Sequence, residues 1–531
     1  MKKRRKEKKP EKRSTKKILK KVPKQALGKK LLQKKSPGKP PKKAKIPKKT
    51  KSPKKSKKAI SLIATTRPHH LVQSTTKNQA PDLVAAIDVG STALRMVIAQ
   101  VRDSGEVRVL ESLQHPVQLG KNTFTKGRIE PETIEECVRI LSGFKNLLAE
   151  YGIPLQDVRA VATSSVREAA NRDTFVDRLY VATLLQIEVI EEAEENRLTY
   201  LAARHLIPDD APWNRGYSLI VEVGGGNTEL LLLHDGHVIY TNSYRFGSLR
   251  MRETLETSKV PAERMKFLLE QHISRSVEQI QRSVPAPRVD SMIAVSGDMR
   301  YACSILGGTP TIAGFRQIAL KPFGTFAEKI AGISVDELVR KHHLSFQDAE
   351  TLGPALMAYR ELAKGFGVKT FLVSPASLRE GLLQEMVTRG SWSREFAEQA
   401  VHAAMALGKK YQFDERHARH VATMSLSLFH ALQPEHGLAP RYELLLHLAA
   451  ILHDIGMFVS SRAHHKHSMY LVLNSDLFGL SLVDKILIGL VARYHRRASP
   501  AAEHQEYAVI TRENRMVVTK LAAMLRIADA L

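Results

Sequence analysis

At Leu83 a polar stretch gives way to Leu83-Val84-Ala85-Ala86-Ile87, an apolar run of strand length. It stops at Asp88-Val89-Gly90-Ser91-Thr92 and resumes at Leu94-Arg95-Met96-Val97-Ile98-Ala99. Apolar run, glycine turn, apolar run predicts two buried strands joined as a tight hairpin. The pattern returns with a different sequence. Tyr217-Ser218-Leu219-Ile220-Val221 leads into Glu222-Val223-Gly224-Gly225-Gly226-Asn227-Thr228-Glu229, and Leu230-Leu231-Leu232-Leu233 follows. Between the copies, Ile187-Glu188-Val189-Ile190 predicts a strand and the stretch from Glu194 to Leu201 a helix. From about Glu395 the periods lengthen into helices, with Leu444-Leu445-Leu446 and Leu448-Ala449-Ala450-Ile451-Leu452 running into His453-Asp454-Ile455-Gly456.

Two acid-and-glycine hairpins 134 residues apart imply a duplicated lobe with a cleft between the copies. A single hairpin of this kind is ordinary. Three consecutive glycines between apolar strands are harder to explain by packing, because each costs chain entropy. They suit a backbone that a ligand approaches closely, and turn N–H groups can cradle phosphate oxygens. A carboxylate at a strand end, such as Asp88, can hold magnesium directly or through water.

Charge separates the first residues from the rest. Residues 1–58 hold 29 of the 82 Lys+Arg and two acids, Glu7 and Glu11, a net +27; the other 473 residues carry 53 basic against 52 acidic side chains. Residues 1–80 hold too little apolar surface to offset chain entropy, and Pro37, Pro40, Pro41, Pro47 and Pro53 break helices, so a disordered tail is expected. Such a tail is either a solvated arm or a tether for polyanions (DNA, RNA or polyphosphate), acting through counterion release. Cys137 and Cys303 cannot make a disulfide framework, which fits a reduced cytoplasm. No apolar run reaches membrane-span length, and lysine rather than an apolar stretch follows Arg4-Arg5, so neither a span nor a signal peptide is expected.

The pairing of DVGST with VEVGGGNTE resembles the two phosphate loops of the actin/Hsp70/sugar-kinase superfamily. Within it the chain is most similar to the exopolyphosphatase / guanosine-pentaphosphate phosphatase family. Val161-Ala162-Thr163-Ser164-Ser165-Val166-Arg167-Glu168-Ala169 resembles that family's T-x-x-x-R-x-A segment, and Glu194-Glu195-Asn196-Arg197-Leu198 its E-E-A-R-L. Ala294-Val295-Ser296-Gly297-Asp298 resembles its third glycine loop, and Leu378-Arg379-Glu380-Gly381-Leu382-Leu383 its L-R-E-G-L-L. The matches keep their order over about 300 residues.

The resemblance implies hydrolysis of a terminal phosphoanhydride, in inorganic polyphosphate or in pppGpp, with Mg2+ or Mn2+. It makes Glu195 the residue that orients and deprotonates the attacking water and Arg167 a contact to substrate phosphates. Asp88, Glu222 and Glu229 would surround the metal. Gly90, Ser91, Thr92, Arg95, Gly224, Gly225, Gly226, Asn227, Ser296 and Gly297 would hold the phosphate chain. Glu222 stands where the family usually has Asp, Thr92-Ala93 where it has Asn-Ser, and Asn227 where it has Ser. The Glu222 and Thr92-Ala93 departures motivate a different reading, a non-catalytic regulator that binds polyphosphate or nucleic acid. The resemblance also implies a homodimer.

The C-terminal part resembles the HD phosphohydrolases, whose metal set is a His, a His-Asp pair and a distant Asp. His417, His453, Asp454 and Asp529 match in order and would hold a second divalent metal; His464, His465 and His467 could add contacts to phosphate or metal. The chain ends at Leu531, two residues after Asp529, where long relatives continue into a further domain. The expected architecture is α/β: two ribonuclease-H-like lobes at 81–206 and 207–395 with an interlobe cleft, an all-α HD-like domain at 396–531, and a tail at 1–80.

Overall fold

The computed structural model describes residues 83–531 apart from 103–105, 209, 257–261, 287, 388–392, 497–498 and 502. The basic tail and the polyanion binding expected of it lie outside the described residues. The first lobe is a five-stranded sheet of β1 (Leu83–Val89), β2 (Ala93–Val101), β3 (Val107–Pro116), β4 (Val158–Ala162) and β5 (Ile187–Val189), ordered β3-β2-β1-β4-β5. β1 runs antiparallel to β2 and parallel to β4. The second lobe repeats this arrangement and extends it. β6 (Tyr217–Val223), β7 (Thr228–His234), β8 (His237–Tyr244), β9 (Ser291–Ala294), β10 (Thr309–Pro310), β11 (Arg316–Ala319) and β12 (Thr370–Val373) are ordered β10-β11-β12-β9-β6-β7-β8. β6 is antiparallel to β7 and parallel to β9, as β1 is to β2 and β4.

β1 and β6 are apolar apart from Ser218 and from the acids Asp88 and Glu222 near their ends, because both faces of each sheet are covered. Alternate residues of a strand point to opposite faces. Ala85, Ile87 and Val89 accordingly enter one core, while Val84 and Ala86 enter another built with Leu378, Leu382 and Leu383. In β6, Leu219, Val221 and Val223 face the second lobe's own helices, and Ile220 faces the helical domain. Continuous apolar runs are what two-sided burial requires.

The helical domain shares one continuous core with this outer face of the second sheet. Ile220, Leu231 and Leu372 pack in the same cluster as Leu445, Leu452, Leu490 and Leu525. Tyr200 and Phe478 pack edge to face at 5.2 Å between ring centres. The main helices after the lobes are Arg394–Lys410, Glu415–Ala431, Arg441–Leu452, His464–Leu473, Leu482–Arg493 and Arg512–Ala530. The helix Leu378–Val387, although it follows β12, packs on β1 and on the helix Glu192–Arg204. Gly381 allows that crossing, since a Cβ there would strike the Leu198 carbonyl. Among the described residues no helix is long and apolar enough to cross a membrane.

Candidate active site in the interlobe cleft

The two hairpin turns meet. A Cβ on Gly225 would lie 3.1 Å from Ser91 Cβ, and one on Gly226 would lie 2.7 Å from Phe124 and strike Ser164 Oγ. A Cβ on Gly247 would collide with the backbone of Gly225 and Gly226. The triple glycine, read from sequence as room for a ligand, is also the point where the lobes touch. The first lobe's Ser91 and Ser164 hydroxyls lie 3.4 Å apart beside it. Arg250 fastens the contact. Its Nε donates to Gly226 O at 2.7 Å, its Nη2 pairs with Glu168 of the first lobe at 2.5 Å, and its guanidinium lies 4.1 Å from the Phe124 ring centre. Arg245 also pairs with Glu168.

At the mouth of each hairpin the cross-strand partner sets the charge. Asp88 on β1 lies opposite Arg95 on β2, and their side chains pair at 3.4 Å. Glu222 on β6 lies opposite Glu229 on β7. Like charges directly opposite on one face repel. Thr199 Oγ1 donates to Glu222 at 2.7 Å and Ser243 Oγ to Glu229 Oε1 at 2.7 Å. The buried Glu229 Oε2 has no hydrogen-bond partner among the described residues.

The helix Glu192–Arg204 brings Glu195 to this pair; Thr199, one turn on, presents the same face. Arg167, at the end of the short helix Ser164–Arg167, donates from Nη1 to Glu195 Oε2 at 3.1 Å and to Ile190 O at 2.8 Å. Burial raises the Glu195 carboxyl above its usual range; Arg167 opposes that rise, and Asp88 and Glu192 add to it. Burial also pushes Glu222 up to about 7, with Thr199 opposing and Glu195 and Asp88 reinforcing. Burial, then Glu195, pushes Glu229 well above the carboxylate range. Carboxylates of both lobes thus compete for protons at one place, and a divalent cation among Asp88, Glu222 and Glu229 would relieve all of them. Their donor set, oxygen only with one buried orphan, fits a hard cation.

Three cations besides Arg167 face this acid cluster. Besides Arg95, Arg300 and Arg379 reach it from the second lobe's third glycine loop and from the Leu378–Val387 helix. Arg300 Nη1 donates to Ala376 O at 2.8 Å, and Arg379 Nη1 to Ser112 Oγ at 3.3 Å. Burial, partly offset by Glu380 and Asp88 and joined by Arg95 and Arg300, lowers the Arg379 pKa. Three arginine side chains gathered beside one another, with the charge of Arg379 disfavoured there, are poised for an anion. Ser296 caps the helix Gly297–Leu306, its Oγ accepting from Asp298 N at 3.1 Å. Burial and Asp348 push Asp298 up to about 6, with Arg95 opposing. Arg95 and the second lobe's helix start therefore share one cleft.

The residues expected from sequence to hold phosphate and metal therefore meet around one point, except that the triple-glycine loop is also engaged in lobe contact. Asn227 turns toward Ser243 at 3.1 Å from the same loop. Arg300 and Arg379 were given no role by sequence reasoning. Arg379 sits in the L-R-E-G-L-L segment, which was the available signal; nothing local marks Arg300. An opening of about 230 Å³ adjoins Arg167, lined by Glu192, Asn196, Asn242, Asp476 and Lys485 among others. In the helical domain, His417, His453, Asp454 and Asp529 converge as expected; His464 and His495 join them, and His465 and His467 do not.

Two duplicated α/β lobes that present acid-glycine hairpins, buried carboxylates and arginines to one cleft define a phosphatase with an actin-like, two-lobed fold. The chain belongs to the Ppx/GppA phosphatase family: the family model matches residues 97–390, and the model of that family's domain III matches 401–531. It is similar to a guanosine-5'-triphosphate,3'-diphosphate pyrophosphatase of Vibrio parahaemolyticus, 25% identical over 451 residues that cover 83% of this chain and 86% of the relative. A protein of the same name from Pseudoalteromonas atlantica is 24% identical over 468 residues, 85% and 86% of the two chains. A crystal structure of an exopolyphosphatase from Cytophaga hutchinsonii shares the fold at a TM-score of 0.52 and 20% identity, covering 58% of this chain and 99% of that one. Phosphoanhydride hydrolysis is the chemistry of this family.

Proposed function

We propose that this chain hydrolyses the terminal phosphoanhydride of inorganic polyphosphate, releasing orthophosphate. The carrying observation is Glu195, a carboxyl with a raised proton affinity, ion-paired to Arg167 and facing Glu222 and Glu229 across the cleft. A base whose pKa is lifted toward neutrality serves proton abstraction at the working pH. Arg167 orients it and stays cationic, since Glu195 and Glu192 outweigh the burial that disfavours its charge. The terminal phosphate enters among Arg95, Arg300 and Arg379, with the N–H groups around Gly90, Ser91, Gly225 and Gly226 beside it. Water, its proton passing to a Glu195 oxygen, attacks the terminal phosphorus. The bridging P–O bond breaks, and the shortened chain leaves as the anion. Mg2+ or Mn2+ held by Asp88, Glu222 and Glu229 would, when bound, neutralise charge on the phosphate oxygens. Positioning and fixed charges supply most of the rate in such a reaction.

A second reading, pppGpp 5'-phosphohydrolase, is favoured by the opening beside Arg167. Its volume suits a base and sugar, and Asn196, Asn242 and Asp476 offer hydrogen bonds there. The curated relatives described above carry a guanosine-nucleotide name.

The test is phosphate release from long-chain polyphosphate and from pppGpp, with magnesium, for wild type and Glu195→Gln. Removal of a general base costs about 10²–10⁴-fold, so release by the variant is expected to fall at least a hundredfold. The ratio of the two substrates in wild type chooses between the readings. Equal release by both proteins would sink Glu195 as the base. Binding of polyphosphate by wild type without release would turn the reading to a non-catalytic regulator.

A further inference from the structure

The helix Glu192–Arg204 turns Glu195 and Thr199 to the cleft, and its opposite face is held by charge. Residues two apart on a helix point about 200° from one another, so Arg197 looks away from Glu195. Arg197 is 3% exposed and takes no part in the chemistry proposed for the cleft. Its Nη2 lies 3.1 Å from Glu385 Oε1 on the helix Leu378–Val387 and 3.7 Å from Glu194 Oε1. Glu194 Oε1 in turn accepts from Arg159 Nη2 on β4 at 3.2 Å, and Arg159 also pairs with Glu188 on β5.

The helical domain closes the same junction. The Arg197 guanidinium lies 5.9 Å from the Phe396 ring centre. A Cβ on Gly479 would strike the Phe396 ring and come within 2.9 Å of Arg197 Cδ, so glycine is what lets this loop lie on the arginine's stem. Three residues on, Leu482 N donates to Glu191 Oε2 at 2.7 Å, at the start of the helix that carries Glu195.

Acids outnumber cations at this junction. Burial and Glu188 push the Glu194 carboxyl up to about 7, with Arg197 and Arg159 opposing and Glu385 reinforcing. Removing Arg197 would leave Glu188, Glu194 and Glu385 repelling one another where the two helices cross. The crossing itself is apolar: Leu198 packs with Leu378 and Leu382, and Gly381 sits against the Leu198 carbonyl. Apolar contact is non-directional, so from behind it is the ion pairs that set the rotation of the Glu195 helix. A turn of about 10° moves a side-chain tip some 5–6 Å from the axis by roughly 1 Å. A misplacement of about 1 Å at a reacting group costs on the order of a hundredfold in rate.

We propose that Arg197 is a positioning residue for the hydrolysis: by holding Glu385 and Glu194 behind the helix it fixes the rotation that aims Glu195 at the attacking water, a role that rests on Glu195 being the base. The Leu378–Val387 helix is the anchor, because Leu378, Leu382 and Leu383 seat it on Val84 and Ala86 of β1. β1 ends beside Asp88, so Arg197 refers the base to the strand that carries a cleft acid. Through Phe396 and Gly479 the helical domain belongs to the same support, and so acts on the cleft without placing a group in it.

The test is steady-state phosphate release from polyphosphate, with magnesium, by the full chain. Wild type is compared with Glu195→Gln, with the paired variant Arg197→Met and Glu385→Leu, and with all three substitutions together. Exchanging both members of a buried ion pair for apolar side chains is often neutral for stability, so the pair separates geometry from folding, which melting checks. In the folded paired variant kcat is expected to fall about ten- to a hundredfold while KM stays within about twofold. Added to Glu195→Gln, the pair should cost nothing further, because residues that act through one group are not additive. A wild-type kcat in the folded paired variant overturns the proposal. So does a loss that multiplies with that of Glu195→Gln, as a general loosening of the fold would give. Wild-type release by Glu195→Gln removes the base and the positioning role together, whereas a crippled Glu195→Gln beside a fully active paired variant sinks the positioning role alone. Should the paired variant not fold, Glu385→Gln, which removes the partner charge at constant shape, takes its place under the same criteria.

Discussion

The two hairpins at the cleft occupy equivalent places in duplicated sheets, and their mouths carry opposite chemistry. In the first, the residue across from the acid is Arg95, and Asp88 is neutralised inside its own lobe. In the second, the residue across from Glu222 is Glu229, and the lobe stacks two acids on one face with Glu195 above them. The first hairpin is balanced alone; the second is not, and needs a cation from outside. Duplication copied the backbone while the cross-strand position was free to diverge, because the register fixes which residues face each other and leaves their chemistry open.

The largest way to break the comparison is to remove the unbalanced acid. Glu229→Gln is expected to lower phosphate release about a hundredfold and to raise the magnesium concentration needed for half-maximal rate at least tenfold, both read from metal titrations of activity. The variant should fold normally, because it removes a buried like-charge neighbour rather than a partner.

Next in size is the arginine side. Arg300→Ala is expected to raise KM for polyphosphate about tenfold, since a charged hydrogen bond to phosphate contributes roughly 1.5–3 kcal/mol. An unchanged KM would remove Arg300 from the substrate's path.

Stability against pH sharpens the same contrast. Glu222 has its pKa raised to about 7 from the ordinary 4.5. Below about pH 4.5 it is protonated in both the folded and unfolded chain and costs nothing. As pH rises from there to about 7 the unfolded chain ionises first, so the metal-free protein loses stability across that window, by roughly 3 kcal/mol in full. Glu222→Gln should therefore be more stable than wild type at pH 8 in chelator and indistinguishable from it at pH 4. Magnesium should close the gap at pH 8. Urea melts under the three conditions read this out, and a gap that is the same at both pH values would refute the assignment.

The smallest expected effect lies in the tail. Deleting residues 1–58 removes 29 basic side chains and should leave kcat unchanged, while KM for long polyphosphate rises a few-fold at low salt and not at high salt, as counterion release requires.

Both hairpins, their acids and the order of the motifs were legible in the sequence. A strand's apolar alternation or continuity is a local property of neighbouring residues, and a glycine turn is marked by its own residues. The HD set was likewise legible as four residues in order, with His464 noted only as one of three nearby histidines. His495 was noted in the Tyr494-His495-Arg496 stretch but given no place in the set, because its partners His464 and Asp454 lie 31 and 41 positions away.

The sequence by itself thus determined the local elements, the duplication and most candidate residues. The tertiary structure decided what those residues do to one another. It put the triple glycine against Ser91, Ser164 and Phe124, brought Arg379 from a helix after the last strand back to the first lobe, and faced four imidazoles and two carboxylates at one point in the helical domain. The physical reason is range. Periodicity and turn chemistry act over a few residues, whereas charge balance and lone-pair crowding arise between groups that only packing makes neighbours.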